Sequence, residues 1–168
     1  VTAGIFRVLG FAVTQNGTTI LNVDTLTVST ANSVALTHAN TVTDLGAVTT
    51  NGDFSLTNNQ TLNVLAAINS GTAGTVTLTT TAGSLDIAAA GDITAGGVVS
   101  LTGFTGINTA GNVTTTADNV IYNSATTLTG NVAVSTGAGS GNITFSDTLD
   151  GGFKLGLTAG TGSVAFNG

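Results

Sequence analysis

A tripeptide of Gly, then Asp or Asn, then an apolar residue recurs along the chain and constrains its fold more than any other feature. It occurs as Gly52-Asp53-Phe54, Gly91-Asp92-Ile93, Gly111-Asn112-Val113, Gly130-Asn131-Val132 and Gly141-Asn142-Ile143. The first four copies begin 39, 20 and 19 residues apart, which reads as a unit of 19–20 residues with one weakened copy. A period in that range belongs to solenoids, whose units bury their apolar face only against the next unit.

Between the tripeptides lie short alternating runs, such as Phe54-Ser55-Leu56-Thr57, Val76-Thr77-Leu78-Thr79, Val99-Ser100-Leu101-Thr102, Ile143-Thr144-Phe145-Ser146 and Phe153-Lys154-Leu155. The period of two sends Val, Leu, Ile and Phe inward and Thr, Ser, Ala, Asp and Lys outward. No window has a helical period. Starts 8–12 residues apart would also suit a sandwich, but the longer period favours a parallel β-helix with two or three strands per turn. Gly, Asn and Asp at corners fit the positive φ expected of tight turns. The absence of Pro fits strands paired on both edges. About eight coils at about 4.8 Å each would form one rod, residues 1–168, with no domain boundary.

Residues 1–17 stand apart: VTAGIFRVLGFAV is strongly apolar and Asn16-Gly17 marks a turn before the repeats of residues 18–168. This segment reads either as an atypical first coil or as an edge strand offered to a neighbour. Ile5, Phe6, Val8, Leu9 and Phe11 at one end, with Val164 and Phe166 at an uncapped other end, suggest head-to-tail stacking into a filament.

Composition narrows the function. Only 6% of residues are charged, the net charge is −6, and Arg7 and Lys154 are the only fixed cations. Nucleic acid and anionic membrane surfaces are therefore poor partners. No apolar run is long enough to span a bilayer. Cysteine is absent, so disulfides and thiolate metal sites are excluded. Val1 is not an initiator Met, so a mature product or an excised piece is expected. Mean hydropathy of +0.45 and abundant β-branched residues separate the chain from disordered low-complexity linkers.

Catalysis needs convergent titratable groups, and the sequence has one His (His38), one Tyr (Tyr122) and no Glu. His38, within Thr-His-Ala-Asn-Thr, reads as an exposed loop residue. Asp53 and Asp92 follow equivalent glycines two units apart and read as lying on one side of the rod, about 10 Å from each other, with Asn112 and Asn131 in the equivalent places of the next units. That pattern is a corner preference, and no catalytic residue, cofactor or metal is assigned. Asp147 and Asp150, beside Gly151-Gly152, form a weak Ca²⁺ candidate without EF-hand spacing. Thr-x-Thr pairs (Thr25/Thr27, Thr41/Thr43, Thr75/Thr77/Thr79, Thr114/Thr116, Thr127/Thr129) raise ice binding, but their irregular steps do not keep register with a 19–20-residue turn.

The units GDFSLT (52–57), GNVAVS (130–135) and GNITFS (141–146), with TAGSLDIAAAGDITAGGVVSLTG (81–103), resemble the repeat region of filamentous-haemagglutinin-like and autotransporter-type bacterial adhesins. The resemblance covers roughly residues 25–168, and it is compositional and periodic. It implies a right-handed β-helix, export to the bacterial surface and a role in adhesion or a surface filament. The Asn-Pro-Asn-Gly secretion signature of such proteins is absent, so shaft alone is expected. The sequence thus predicts a non-catalytic extracellular shaft or end-stacking fibre subunit, partnered by copies of itself or by glycans and proteins of a host or neighbouring cell. An ice- or glycan-binding solenoid is the alternative, and a polysaccharide lyase or hydrolase a third.

Overall fold

The computed structural model describes residues 2–168 and the side chains from residue 4 onward; Val1 of the opening run lies outside the described residues. Twenty strands and, among the described residues, no helix build a β-solenoid of about 8 turns. The chain opens with β1 (Thr2–Gly10), β2 (Val13–Thr14), β3 (Asn22–Thr30) and β4 (Val34–Thr49). Shorter strands follow: β5 (Phe54–Asn58), β6 (Leu62–Val64), β7 (Ile68–Asn69), β8 (Val76–Thr80), β9 (Leu85–Ile87), β10 (Ile93–Thr94), β11 (Val99–Thr102) and β12 (Ile107–Thr109). The last are β13 (Val113–Thr114), β14 (Val120–Tyr122), β15 (Thr126–Leu128), β16 (Val132–Ser135), β17 (Ile143–Phe145), β18 (Leu149–Asp150), β19 (Leu155–Thr158) and β20 (Val164–Phe166).

All pairings join strands one coil apart and are parallel, which produces three faces. Face 1 stacks β6, β9, β12, β15 and β18. Face 2 stacks β7, β10, β13, β16 and β19. Face 3 stacks β5, β8, β11, β14, β17 and β20. The long β4 bends through all three: Val34 pairs with Phe54, Leu45 with Val64 and Val48 with Ile68. The opening run is a coil of the same stack, because β1 lies parallel on β3 from Thr2 to Gly10.

Coil length is more variable than the tripeptide spacing suggests. The coil that carries Asn40 onto Asn58 is short, and the one that carries Ile68 onto Ile93 is much longer. The cause is that the tripeptides mark two corners. Phe54 and Ile143 enter face 3, whereas Ile93 and Val113 enter face 2. Val132 enters face 2 two residues early, since Val113 pairs with Val134.

Alternation fills the interior as expected. On face 3 the inward columns are Val34, Phe54, Val76, Val99, Val120 and Ile143, then Leu36, Leu56, Leu78, Leu101, Tyr122 and Phe145, all buried. Each such apolar side chain contributes about 1.5–3 kcal/mol on burial. Tyr122 and Phe145 stack with centroids 4.7 Å apart, and Phe145 and Phe166 at 5.4 Å. Phe153-Lys154-Leu155 departs from the pattern: the strand begins only at Leu155, and Phe153 is exposed.

Corners turn by side-chain hydrogen bonds that satisfy buried backbone groups. Inward hydroxyls donate to corner carbonyls: Thr50 to Gly52 at 2.7 Å, Ser70 to Gly74 at 2.7 Å and Thr136 to Gly141 at 2.8 Å. Buried Asn58 accepts from the Val42 amide at 2.8 Å and donates to its carbonyl at 2.9 Å. The tripeptide glycines do not serve a positive φ, which none of Gly52, Gly91, Gly111, Gly130 and Gly141 has. They are required by close approach between coils: a Cβ would lie 2.6 Å from Ser33 Oγ at Gly52 and would collide with the Asp118 carbonyl at Gly141.

Candidate functional site

The Asx residues of the tripeptides are structural acceptors. Each Oδ1 takes a backbone N–H from the following coil: Asp53 from Thr75 (2.9 Å), Asp92 from Asn112 (2.7 Å), Asn112 from Ala133 (2.8 Å), Asn131 from Lys154 (3.1 Å) and Asn142 from Ser163 (2.8 Å). Asn119, outside any tripeptide, does the same for Asn142 at 2.8 Å. Asp53 and Asp92 stand at different corners and so do not form the aligned pair read from their glycines. His38 lies within β4 rather than in a loop, with Nδ1 2.7 Å from the Thr19 carbonyl; that oxygen can only accept, so Nδ1 carries the proton.

Asp147 and Asp150 are exposed, and each accepts from the next residue's amide, Thr148 at 2.7 Å and Gly151 at 2.6 Å. Among the described residues no three His, Cys, Asp or Glu side chains converge. Of the apolar end residues, Val8 is buried in the core and Phe6 packs against it, whereas Ile5, Leu9, Phe11, Val164 and Phe166 are exposed.

The stack brings together two outward surfaces that a fixed period hides. On face 3, Ser55 and Thr57 pair with Thr77 and Thr79, and these with Ser100 and Thr102. Ile121 interrupts the first column and Thr144 resumes it. Hydroxyl-bearing residues therefore do keep register, once Ser is read with Thr and coils of unequal length are allowed. No charged residue stands in these columns. Neither Thr25/Thr27 nor Thr127/Thr129 belongs to them: Thr25 and Thr127 stand on face 1, and Thr27 falls at the corner between faces 1 and 2.

Face 1 carries a different surface. Its outward column reads Thr25, Asp44, Asn63, Asp86, Asn108, Thr127 and Asp150, one residue per coil. Carboxylates and amides alternate through its middle, so like charges are kept two coils, about 10 Å, apart. The Asn63 amide donates to Asp44 Oδ1 at 2.9 Å and to the Thr43 carbonyl at 3.2 Å. Asn108 donates to Asp86 Oδ1 at 2.7 Å. These partners only accept, which fixes the orientation of both amides. Two residues further along each strand runs a second outward column containing Leu65, Ala88 and Thr129. Together the columns line a groove of about 390 Å³ over Asn63, Asp86 and Asn108, with Leu65 48% exposed at its edge. Sequence reading missed this ladder because the coils between its members differ in length and no flanking motif is shared.

Tyr122 is the other notable polar group. It is fully buried, its Oη has no hydrogen-bond partner among the described residues, and burial raises its pKa above the usual phenol value.

No family model matches the chain, and neither a curated protein nor a solved structure is significantly similar to it.

Proposed function

We propose that this chain is a non-catalytic, extracellular structural and adhesive module: a stretch of β-solenoid shaft from a bacterial surface adhesin or filament. The observation that carries this reading is repetition along one axis. Three parallel ladders run the length of the described residues, and outward positions recur in register from coil to coil, as in the row Asp44, Asn63, Asp86 and Asn108. Stacked coils stabilise one another through nearest-neighbour contacts, which suits a stiff spacer. Weak polar contacts repeated along a rod gain strength through effective concentration. The outer edges of β1 and of β18, β19 and β20 have no strand partner among the described residues, so a further coil, from the same chain or a second copy, can continue the ladder there.

Negative-stain microscopy of the purified chain tests the reading. Single rods about 40 Å long, the length of eight coils, support a shaft. Filaments of the same width support the fibre form. Compact round particles, or turnover in a screen against acidic polysaccharides, overturn both.

The hydroxyl rows of face 3 favour a second reading, ice binding. An uncharged sheet face with two hydroxyl columns in register over β5, β8 and β11 repeats at about 4.8 Å across strands and about 6.7 Å along them. Thermal hysteresis that is lost in Thr77→Lys supports this reading, and its absence in the wild-type protein removes it.

A further inference from the structure

We propose that the groove on face 1 binds a linear, neutral polysaccharide lying parallel to the solenoid axis, with one sugar ring per coil. The inference rests on the adhesive reading above and gives it a surface and a ligand class. Three observations converge on it.

The first is the polarity of the free groups. Asn63 engages both amide hydrogens and Asn108 one of them, in bonds to neighbouring acceptors. Asn63 Oδ1, Asp86 Oδ2 and Asn108 Oδ1 receive no hydrogen bond from the described residues. The groove floor thus offers three acceptor oxygens against one free N–H, that of Asn108, and a ligand must bring mostly donors. Sugar hydroxyls do so in closely spaced pairs. The internal bonds also hold the planar groups in place before a ligand arrives, which lowers the entropy cost of binding.

The second is the neighbouring column. Leu65 and Ala88 form an apolar strip beside the polar ladder, and Leu65 remains half exposed. A pyranose ring has the same division, with hydroxyls at its rim and C–H groups on its face. Binding sites of this kind combine apolar lining with a few placed polar groups.

The third is charge. The groove holds one carboxylate, Asp86, between two amides, and the chain carries a net charge of −6. Anionic glycans are repelled by that carboxylate and the net charge, and among the described residues no three His, Cys, Asp or Glu side chains converge. A neutral chain of hydroxyl donors fits. The polar column steps by one strand spacing, about 4.8 Å, close to the length of one ring, so successive rings each meet an acceptor oxygen, amide and carboxylate in turn.

The test is titration calorimetry of the 168-residue chain with cello- and malto-oligosaccharides of two to six rings, with galacturonate oligomers as the acidic comparison. Binding of at least one neutral series, strengthening with length and absent for the acidic oligomers, is expected. Asp86→Ala should weaken it by at least about tenfold, because a hydrogen bond to a charged group is lost. Leu65→Gln should weaken it through the apolar strip, while Thr77→Ala on face 3 leaves it unchanged. Circular dichroism checks that each variant stays folded. No binding of either neutral series at millimolar concentration overturns the proposal, as does binding indifferent to both Asp86→Ala and Leu65→Gln. Rods seen by microscopy alongside absent sugar binding would refute this groove and leave the shaft reading standing.

Discussion

Tyr122 offers the sharpest test of the packing. Its ring lies in the interior between Leu101 and Phe145, stacked on Phe145 at 4.7 Å with planes 13° apart, and its hydroxyl meets no acceptor. An unpaired buried hydroxyl costs about 1–3 kcal/mol of desolvation. Tyr122→Phe removes that oxygen and keeps the stacked ring, so it should stabilise the chain by an amount in that range. For a protein of this length, each kcal/mol raises Tm by about 2–4 °C. Urea and thermal melts of the two proteins measure the difference. A companion signal comes from pH. Burial raises the phenol pKa in the folded state, so above pH of about 10 the unfolded chain ionises first and binds fewer protons. The contribution is present in full below that pH and declines above it, by up to about 1.4 kcal/mol per unit, until the folded phenol itself titrates. Tyr122 is the only tyrosine, so tyrosinate absorbance reports it alone: the native chain should resist ionisation near pH of about 10. If Tyr122→Phe lowers stability by about 1 kcal/mol or more, the hydroxyl has a partner and the dry, uninterrupted interior is wrong.

The corner and core make three further predictions. At Gly141 the backbone of the preceding coil lies in the way of a side chain, whereas Gly156 has open space around it. Gly141→Ala should therefore destabilise by roughly 1–3 kcal/mol in the same urea melts. Gly156→Ala should change stability by less than about 0.5 kcal/mol. The Asn112 side chain holds the Ala133 amide, a role that Asp53 and Asp92 perform for their own neighbours. Asn112→Ala should accordingly cost about 1–2 kcal/mol, and Asn112→Asp should retain most of the stability. Phe145→Ala should cost about 3–5 kcal/mol. Phe104→Ala, at an exposed corner, should cost less than about 0.5 kcal/mol by calorimetry.

Strand identity was legible because it depends on local alternation. Phe54-Ser55-Leu56-Thr57 and Val99-Ser100-Leu101-Thr102 became β5 and β11 with the expected faces inward. Coil stacking and a turn number near eight were legible from the recurrence of Gly-Asx. The meaning of that recurrence was not. Its glycines answer to backbone and side-chain atoms of the preceding coil and its Asx residues to amides of the following one, and both partners stand a whole coil away along the chain. Outward surfaces were harder still. Asp44, Asn63, Asp86 and Asn108 align only after corners of unequal length are inserted between them, and a corner's length is fixed by interior packing. Thr25/Thr27 and Thr75/Thr77/Thr79 look alike as text, yet Thr25 lies on face 1 with Thr27 at its corner, and Thr77 and Thr79 lie on face 3.

The chain has no cysteine, so spin labels can be placed at will on the outward column of face 3. Ala35, Ser55, Thr77, Ser100, Ile121, Thr144 and Ala165 follow one another in register there. Double electron–electron resonance from Ala35→Cys to Thr144→Cys and to Ala165→Cys should give distances of about 24 and about 29 Å, five and six strand spacings. Distances that fail to grow by one spacing per coil would contradict the parallel stack and every surface assigned to it.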